Sequence, residues 1–223
     1  MAQSTTEQNY LKAIYHLAKD QPEPVNTSSI ASYLNTSSAS VTDMLKRLAE
    51  KNLISYEKYK GVKLSRKGEK VALDIIRKHR LWEVFLTRTL KFRWDEVHEM
   101  AEELEHVSSN ELIERFAAFL GNPSSDPHGD PIPDASGHIS DIPGIALTQS
   151  ITGKKYLLSG VTDHRPDFLR FLASHSLIPG TVIKVIQIRP VDQSLELQVS
   201  GKEKIFITNE MARNLLIKSN EER

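Results

Sequence analysis

Along the first half of the chain, apolar residues recur with a helical period. Tyr10, Leu11, Ile14, Tyr15 and Ala18 share one face, which predicts a helix over 6–19, and Thr5 with Gln8 has the spacing of a capping box at its start. Gln21-Pro22-Glu23-Pro24 ends that helix. A short helix over 27–34 follows, then the small polar stretch Asn35-Thr36-Ser37-Ser38. The next helix runs to about residue 51 with Val41, Leu45 and Leu48 turned inward. Residues 53–59 and 62–65 alternate like strands around Lys60-Gly61, a hairpin turn. A helix-turn-helix followed by a basic hairpin is a winged helix-turn-helix.

Three further helices are predicted over about 66–90, 94–107 and 110–120. Residues 121–144 are rich in Pro, Gly, Ser and Asp and read as an irregular connection. Beyond them the period drops to two: 155–161, 181–189, 195–199 and 204–208 read as strands. A helix over 166–174 interrupts them, and another begins near Asn209. Short strands with turns predict a small β-barrel of about 75 residues. The expected fold is mainly α with a small β domain, divided as 1–72 (winged helix-turn-helix), 73–140 (helical) and 141–223 (β).

Six side chains in the helical part form a metal-binding pattern. His79 and Glu83 are four residues apart, as are His98 and Glu102, and Glu105-His106 follow one turn later. On a continuous helix, positions 98, 102, 105 and 106 fall within an arc of about 100°, a single stripe. Val97, Met100, Ala101, Leu104 and Val107 form the neighbouring apolar arc, while Glu96, Glu99 and Glu103 point elsewhere. The stripe therefore borders the buried face, where unpaired charge is costly and a bound cation would relieve it. A solvated acidic face or an ion-pair network remains the ordinary alternative for any one of these residues.

Composition narrows the chemistry. The chain of 223 residues has no cysteine, which excludes disulfides, Cys-zinc sites and thiol catalysis and leaves oxygen and nitrogen donors for any metal. It has no apolar run of membrane-spanning length and no basic–apolar leader, so a cytoplasmic protein without membrane association is expected. A formal net charge of zero conceals an asymmetry. Residues 46–70 carry nine Lys/Arg against three Glu, a net of +6, and residues 94–136 carry eleven Asp/Glu against Arg115, a net of −10. One region suits a polyanion and the other a cation.

The predicted recognition helix offers Ser37, Ser38, Ala39, Ser40, Thr42 and Asp43 at its slim N-terminal end, suited to base edges and phosphates. Lys46 and Arg47 lie one turn on, Lys58, Tyr59 and Lys60 occupy the wing tip, and Thr27 and Ser28 could donate to phosphate. No Gly-rich phosphate loop or Ser/His/Asp constellation is present, and no enzyme or organic cofactor is expected. Two other readings stay open. One is a helical di-metal carboxylate enzyme built on Glu103-x-x-His106. The other is a helix-turn-helix regulator that senses an organic ligand.

Four segments together resemble the iron- and manganese-dependent repressors named after the diphtheria toxin repressor. They are Thr5-Thr6-Glu7-Gln8-Asn9-Tyr10-Leu11-Lys12-Ala13-Ile14-Tyr15, Arg77-Lys78-His79-Arg80-Leu81-Trp82-Glu83, Val97-His98 through Glu105-His106-Val107, and Pro127-His128-Gly129-Asp130-Pro131-Ile132-Pro133. The resemblance covers essentially the whole chain. It implies a homodimer that binds double-stranded palindromic operator DNA, a helical metal-binding and dimerisation domain, and a C-terminal SH3-like (FeoA-like) domain. It also implies two metal ions per subunit. His79, Glu83 and His98 match one site, to which His164 and Asp167 of the C-terminal domain correspond as added ligands. Glu102, Glu105 and His106 match the other, with Asn9 at the first-helix position and Glu7 or Gln8 as substitutes. Position 102 is Glu, as in the manganese-type members, where iron-type members have Cys. The hard donor set points to Mn(II), with Fe(II) the alternative. His16, His138 and His175 are read as structural, and His128 as shaping a turn.

Overall fold

The computed structural model describes residues 3–19, 24–57, 60–106, 109–140, 144–201 and 203–220. Lys58, Tyr59 and Val107 lie outside them. The chain forms two compact units, one of residues 1–79, 104–113 and 133–138, the other of residues 80–103, 114–132 and 139–223.

The first unit holds α1 (Thr5–Lys19), α2 (Thr27–Tyr33), α3 (Ser38–Glu50), β1 (Ile54–Glu57), β2 (Gly61–Leu64) and the first half of α4 (Arg66–Arg88). Its core gathers the inward faces that periodicity identifies: Tyr10, Leu11 and Ile14 of α1 with Ile30, Val41, Leu45, Leu48 and Leu53. Asn26 caps α2 by accepting from the Ser29 N–H at 2.7 Å, and Ser37 caps α3 by accepting from the Ser40 N–H at 3.1 Å. Asn35, in the left-handed region at φ 48°, turns the chain between those helices. In the hairpin, Ile54 pairs with Leu64 and Glu57 with Gly61, and Val25 forms a bridge to Val62. Gly61, at φ 91°, is required there, since a Cβ would lie 2.8 Å from the Val25 carbonyl oxygen.

The second unit holds the remainder of α4, most of α5 (Val97–Leu104) and of α6 (Asn110–Phe119), and the β domain. That domain comprises β3 (Ile145–Ala146), β4 (Lys155–Val161), α7 (Pro166–Ser174), β5 (Val182–Ile188), β6 (Leu195–Val199), β7 (Glu203–Ile207), α8 (Asn209–Arg213) and β8 (Leu215–Ser219). The strands form one antiparallel sheet in the order β3-β8-β4-β5-β6-β7. No pairing joins β3 to β7 among the described residues, so the expected barrel is an open sheet. Alternate residues Leu195, Leu197 and Val199 face a core that also takes Phe168, Leu169 and Leu172 of α7. Among the described residues, no helix is long and apolar enough to cross a membrane.

Three local readings change. The capping box lies one residue earlier than Thr5/Gln8: the Ser4 N–H donates to Glu7 Oε2 at 3.1 Å and the Glu7 N–H to Ser4 Oγ at 3.3 Å. The helix expected over 94–107 spans only Val97–Leu104. Before it, Arg93 holds the Asp95 carboxylate through two 3.0 Å hydrogen bonds. After it, Glu105 and His106 occupy a turn, so these ligand candidates are not on the helix itself. The pattern also missed β8, whose Leu215 and Ile217 are fully buried in the sheet interior.

Glu7 ties the start of α1 to α3. Its Oε1 accepts from Lys51 Nζ at 2.5 Å, while Ser4 holds its Oε2. Burial alone would push its pKa up, but the Lys51 ammonium and the Ser4 N–H hold it below the ordinary 4.5. A depressed folded pKa contributes stability above the unfolded value and loses it as pH falls through the folded one. Glu7→Gln should therefore lower stability at pH 7 by up to about 1 kcal/mol, given that Lys51 is partly exposed. Denaturant titrations should show this gap closing as pH falls toward about 3; a gap that is the same at both pH values refutes the assignment.

Candidate metal centre and nucleic-acid interface

Glu105 is a buried carboxylate of the first unit with both oxygens held. It is 1% exposed. Its Oε1 accepts from Lys12 Nζ at 2.6 Å, and its Oε2 lies 2.7 Å from His79 Nδ1. His106 follows it: Nε2 is 3.4 Å from the same Glu105 Oε1, and Nδ1 is 2.7 Å from Gln8 Oε1 on α1. Asn9, adjacent to Gln8, has a buried Oδ1 with no hydrogen-bond partner among the described residues. An orphaned buried amide oxygen costs about 1–3 kcal/mol unless something accepts its lone pairs. Gln8, Glu105 and His106 therefore converge where α1 meets the turn after α5, with Asn9 next to Gln8 in sequence. An unsatisfied oxygen, a carboxylate and an imidazole are a hard donor set that suits a divalent cation.

In the second unit, imidazoles approach both carboxylate oxygens of Glu83 on α4. His98 Nδ1 lies 3.5 Å from Oε1 and His128 Nδ1 lies 3.6 Å from Oε2; Glu83, His128 and Asp126 each offer a donor atom within 4.8 Å of the others. His98 is exposed, and its Nε2 is 3.7 Å from Glu102 Oε1 one turn along α5. Asp126 and His128 were not anticipated as site residues. They are brought in by the Pro127-His128-Gly129 turn, which docks on β4 through the Val161 N–H donating to the His128 carbonyl at 2.9 Å. Gly129, at φ 92°, is required, because a Cβ would collide with the Ser159 carbonyl and Gly160. His128 Nε2 is 2.9 Å from the Trp94 carbonyl oxygen.

Electrostatics divides this group. Burial, with the carboxylates of Glu83 and Asp130 nearby, pushes Asp126 up to about 7. Burial would lower His128, yet the Glu83 carboxylate and then Asp126 outweigh it and raise it to about 9. The Arg80 guanidinium lies 3.6 Å from Asp126 and 3.5 Å from Asp130, and it also donates to the Pro131 carbonyl. Arg80 and protonated His128 already supply positive charge to Asp126, so this end of the network is closed as ion pairs.

His164 reaches the same network. Its ring lies 5.0 Å from that of His128, its Nε2 is 3.6 Å from Asp130 Oδ2, and burial lowers its pKa. Asp167 is exposed in the first turn of α7, where its carboxylate accepts from the Phe168 N–H at 3.0 Å. The structure thus gathers His164 with Asp130 and His128 and leaves Asp167 bonded to the backbone of its own helix.

The nucleic-acid candidates lie on the first unit. Ser28, Ser37, Ser38, Ala39, Ser40, Asp43, Lys46, Arg47 and Lys60 are exposed, and Thr27 and Thr42 are half-buried. Several hydroxyls already have local partners: Ser28 donates to Asn26, Ser37 and Ser40 share a 2.9 Å hydrogen bond, and Thr42 donates to the Ser38 carbonyl. Lys46 pairs with Asp43 at 3.5 Å and Lys60 with Glu57 at 2.6 Å, both in solvent, where such pairs are readily exchanged for phosphate.

Comparison with known proteins agrees with this architecture. Residues 3–62 match the iron dependent repressor N-terminal DNA binding domain, residues 65–134 its metal binding and dimerisation domain, and residues 145–219 the FeoA domain. The iron-dependent repressor IdeR of Mycobacterium leprae is 28% identical over 221 residues, covering 93% of this chain and 94% of that protein. A manganese-dependent transcriptional repressor solved with manganese superimposes with a TM-score of 0.83 at 31% identity, over 96% of this chain and 99% of that one. IdeR of T. acidophilum gives 0.74 at 28% identity, over 98% and 100%. Glu103, half of the Glu-x-x-His motif of the di-metal enzyme reading, is exposed to solvent. With a DNA-binding module, a metal-binding and dimerisation module and a FeoA module matched in order, the chain belongs to the diphtheria toxin repressor family of metal-dependent regulators, which are repressors and not enzymes.

Proposed function

We propose that this chain is a metal-activated transcriptional repressor that binds palindromic double-stranded DNA as a homodimer, with Mn(II) as its effector and two ions per subunit. The observation that carries this reading is the buried, orphaned Oδ1 of Asn9, next in sequence to the Gln8 whose side chain reaches His106. Following the family pattern, Asn9, Glu102, Glu105 and His106 would hold one ion. His79, Glu83 and His98 would hold the other, with His164 and Asp167 as the candidate additions. A divalent cation would supply the positive charge that lets these carboxylates remain ionised while buried. The division into 1–72, 73–140 and 141–223 assigns DNA binding, metal binding with dimerisation, and the FeoA-like SH3 fold to successive segments.

The chain's own residues do the coupling. Gln8 and Lys12 tether α1 to the turn that carries Glu105 and His106. Tyr10, Leu11 and Ile14 of the same helix pack with Val41, Leu45 and Leu48 of α3. The orientation of α1 thereby sets that of the recognition helix. In a dimer, two copies of α3 must lie about 34 Å apart, or a multiple of that, to enter successive major grooves. A shift between mostly incompetent and mostly competent states needs roughly 5 kcal/mol of differential affinity, within reach of two cations and beyond a surface ion pair. On α6, Leu112 and Phe119 lie seven residues apart on one face and are 49% and 70% exposed, an apolar stripe suited to cover by a second copy.

Mn(II) is preferred because every donor is oxygen or nitrogen and position 102 is Glu, a set that favours a hard ion with high coordination number. Fe(II) is the second reading, favoured by the likeness to the iron-dependent repressor of M. leprae. Anaerobic titration of operator binding with Mn(II), Fe(II), Co(II) and Zn(II), with metal content measured in parallel, separates them. Zn(II) is expected to bind yet activate poorly; full activation by one Zn(II) per subunit excludes the Mn(II) account, and activation by Fe(II) alone makes this an iron sensor.

Two outcomes follow for DNA binding. Operator affinity should collapse in EDTA, return with added metal, and fall by roughly 10³-fold or more between 50 and 200 mM salt as counterions are released from phosphates. Equal affinity with and without chelator overturns the proposal. Glu102→Ala should abolish metal activation while leaving circular dichroism and dimer mass unchanged, because it removes a ligand and a half-buried charge. A variant that responds at wild-type metal concentrations removes Glu102 from the site.

A further inference from the structure

Lys12 is 8% exposed, and it lies on α1 three residues beyond Asn9 and four beyond Gln8, on the face that meets the Glu105–His106 turn. Its ammonium is 2.6 Å from Glu105 Oε1, with the two side chains 10% and 0% exposed. That same oxygen faces His106 Nε2 at 3.4 Å. A cation held jointly by Glu105 and His106 would have to approach this oxygen, and the lysine already stands there. Desolvating an ammonium is costly, and the lysine remains because the buried carboxylate compensates it.

Resting on the reading above that Glu105 and His106 are metal ligands, we propose that Lys12 is a built-in counter-cation. It neutralises Glu105 when no metal is bound and must be displaced for a divalent ion to bind. Lys12 therefore sets the metal concentration at which the protein responds. The metal-free centre is a closed ion pair, not a cluster of mutually repelling carboxylates. Metal binding exchanges one cation for another, so the net affinity is the difference between two strong interactions. Lys12 is a positioning and threshold-setting residue and not a ligand.

The test compares the full-length wild type with Lys12→Met, Lys12→Arg and Glu105→Gln. Isothermal titration with Mn(II) alone gives the affinity, and melting temperature is read in EDTA and in saturating Mn(II). Lys12→Met keeps the aliphatic stem and removes the charge. It should bind Mn(II) about ten-fold or more tightly than wild type, melt lower in EDTA, and show a larger metal-induced rise. Lys12→Arg should keep weak, wild-type-like binding. A Lys12→Met protein with unchanged or weaker affinity and an unchanged metal-induced rise overturns the proposal and leaves Lys12 as a structural ion pair. Glu105→Gln separates the two claims. Wild-type Mn(II) binding in that variant removes the metal site itself, whereas loss of binding there with no gain in Lys12→Met removes only the competing lysine. If Lys12→Met does not fold, the wild type still decides: acetylation of Lys12 by an amine-reactive reagent, followed by mass spectrometry, should rise on adding Mn(II). Reactivity that stays constant or falls refutes displacement.

Discussion

A carboxylate buried at the end of a short helix needs compensation, and Glu105 finds it in two directions. One oxygen accepts from Lys12 on α1 and the other meets His79 on α4. Breaking one side of such an arrangement costs about 3–5 kcal/mol, because the charge that remains has no water to solvate it. Three elements of the first unit are consequently held at one point by a single side chain. The regular helix ends at Leu104, just where Glu105 must turn inward to reach both partners. On α1, the Asn9 oxygen is buried without a donor among the described residues.

The second unit solves the same electrostatic problem differently. Glu83, Asp126 and Asp130 would be a costly concentration of negative charge, and Arg80 and His128 answer it from within. The raised pKa of His128 and the raised pKa of Asp126 are two sides of that balance. Fixed positive charge makes most of this network a structural joint between the α4–α5 segment and the turn that leans on β4. Glu83 on α4 and His98 on α5 lie at its edge, 3.5 Å apart. The ion-pair scaffold behind them fixes the geometry of two side chains that come from different helices.

What could be read from the sequence followed from range. Helical periodicity placed α1 to α4, α6 and α7 within a few residues, because i, i+3 and i+4 neighbours are encoded locally. Local spacing likewise singled out His79, Glu83, His98, Glu102, Glu105 and His106. It failed where contacts are distant. Lys12 is 93 positions from Glu105. Asp126 and His128 reach Glu83 from a loop whose Pro-His-Gly run signals only a turn. The assumption of one unbroken helical stripe placed Glu105 and His106 on α5, whereas the pull of Lys12 and His79 draws them into the turn after it. β8 was missed because Leu215–Ser219 is short and follows directly on a helix, so alternation had little length over which to appear. The shift of the capping box from Thr5 to Ser4 has the same origin, since Lys51, not the local motif, decides which Glu/Gln is fixed at the helix start.

The competition between a lysine and a metal ion also bears on selectivity. A soft thiolate site gains most of its affinity from covalent character, which an ammonium cannot match, so a neighbouring lysine would hardly perturb it. A site of carboxylate, amide and imidazole donors depends on charge and coordination number, and there a lysine ammonium paired with the carboxylate competes directly for the same oxygen. The absence of cysteine from the whole chain and the presence of Lys12 against Glu105 are therefore two parts of one constraint. On the proposed exchange, such a centre would answer only when the divalent ion is abundant enough to displace its internal substitute. Displacing one internal cation moves the concentration of half-response upward and leaves its steepness unchanged.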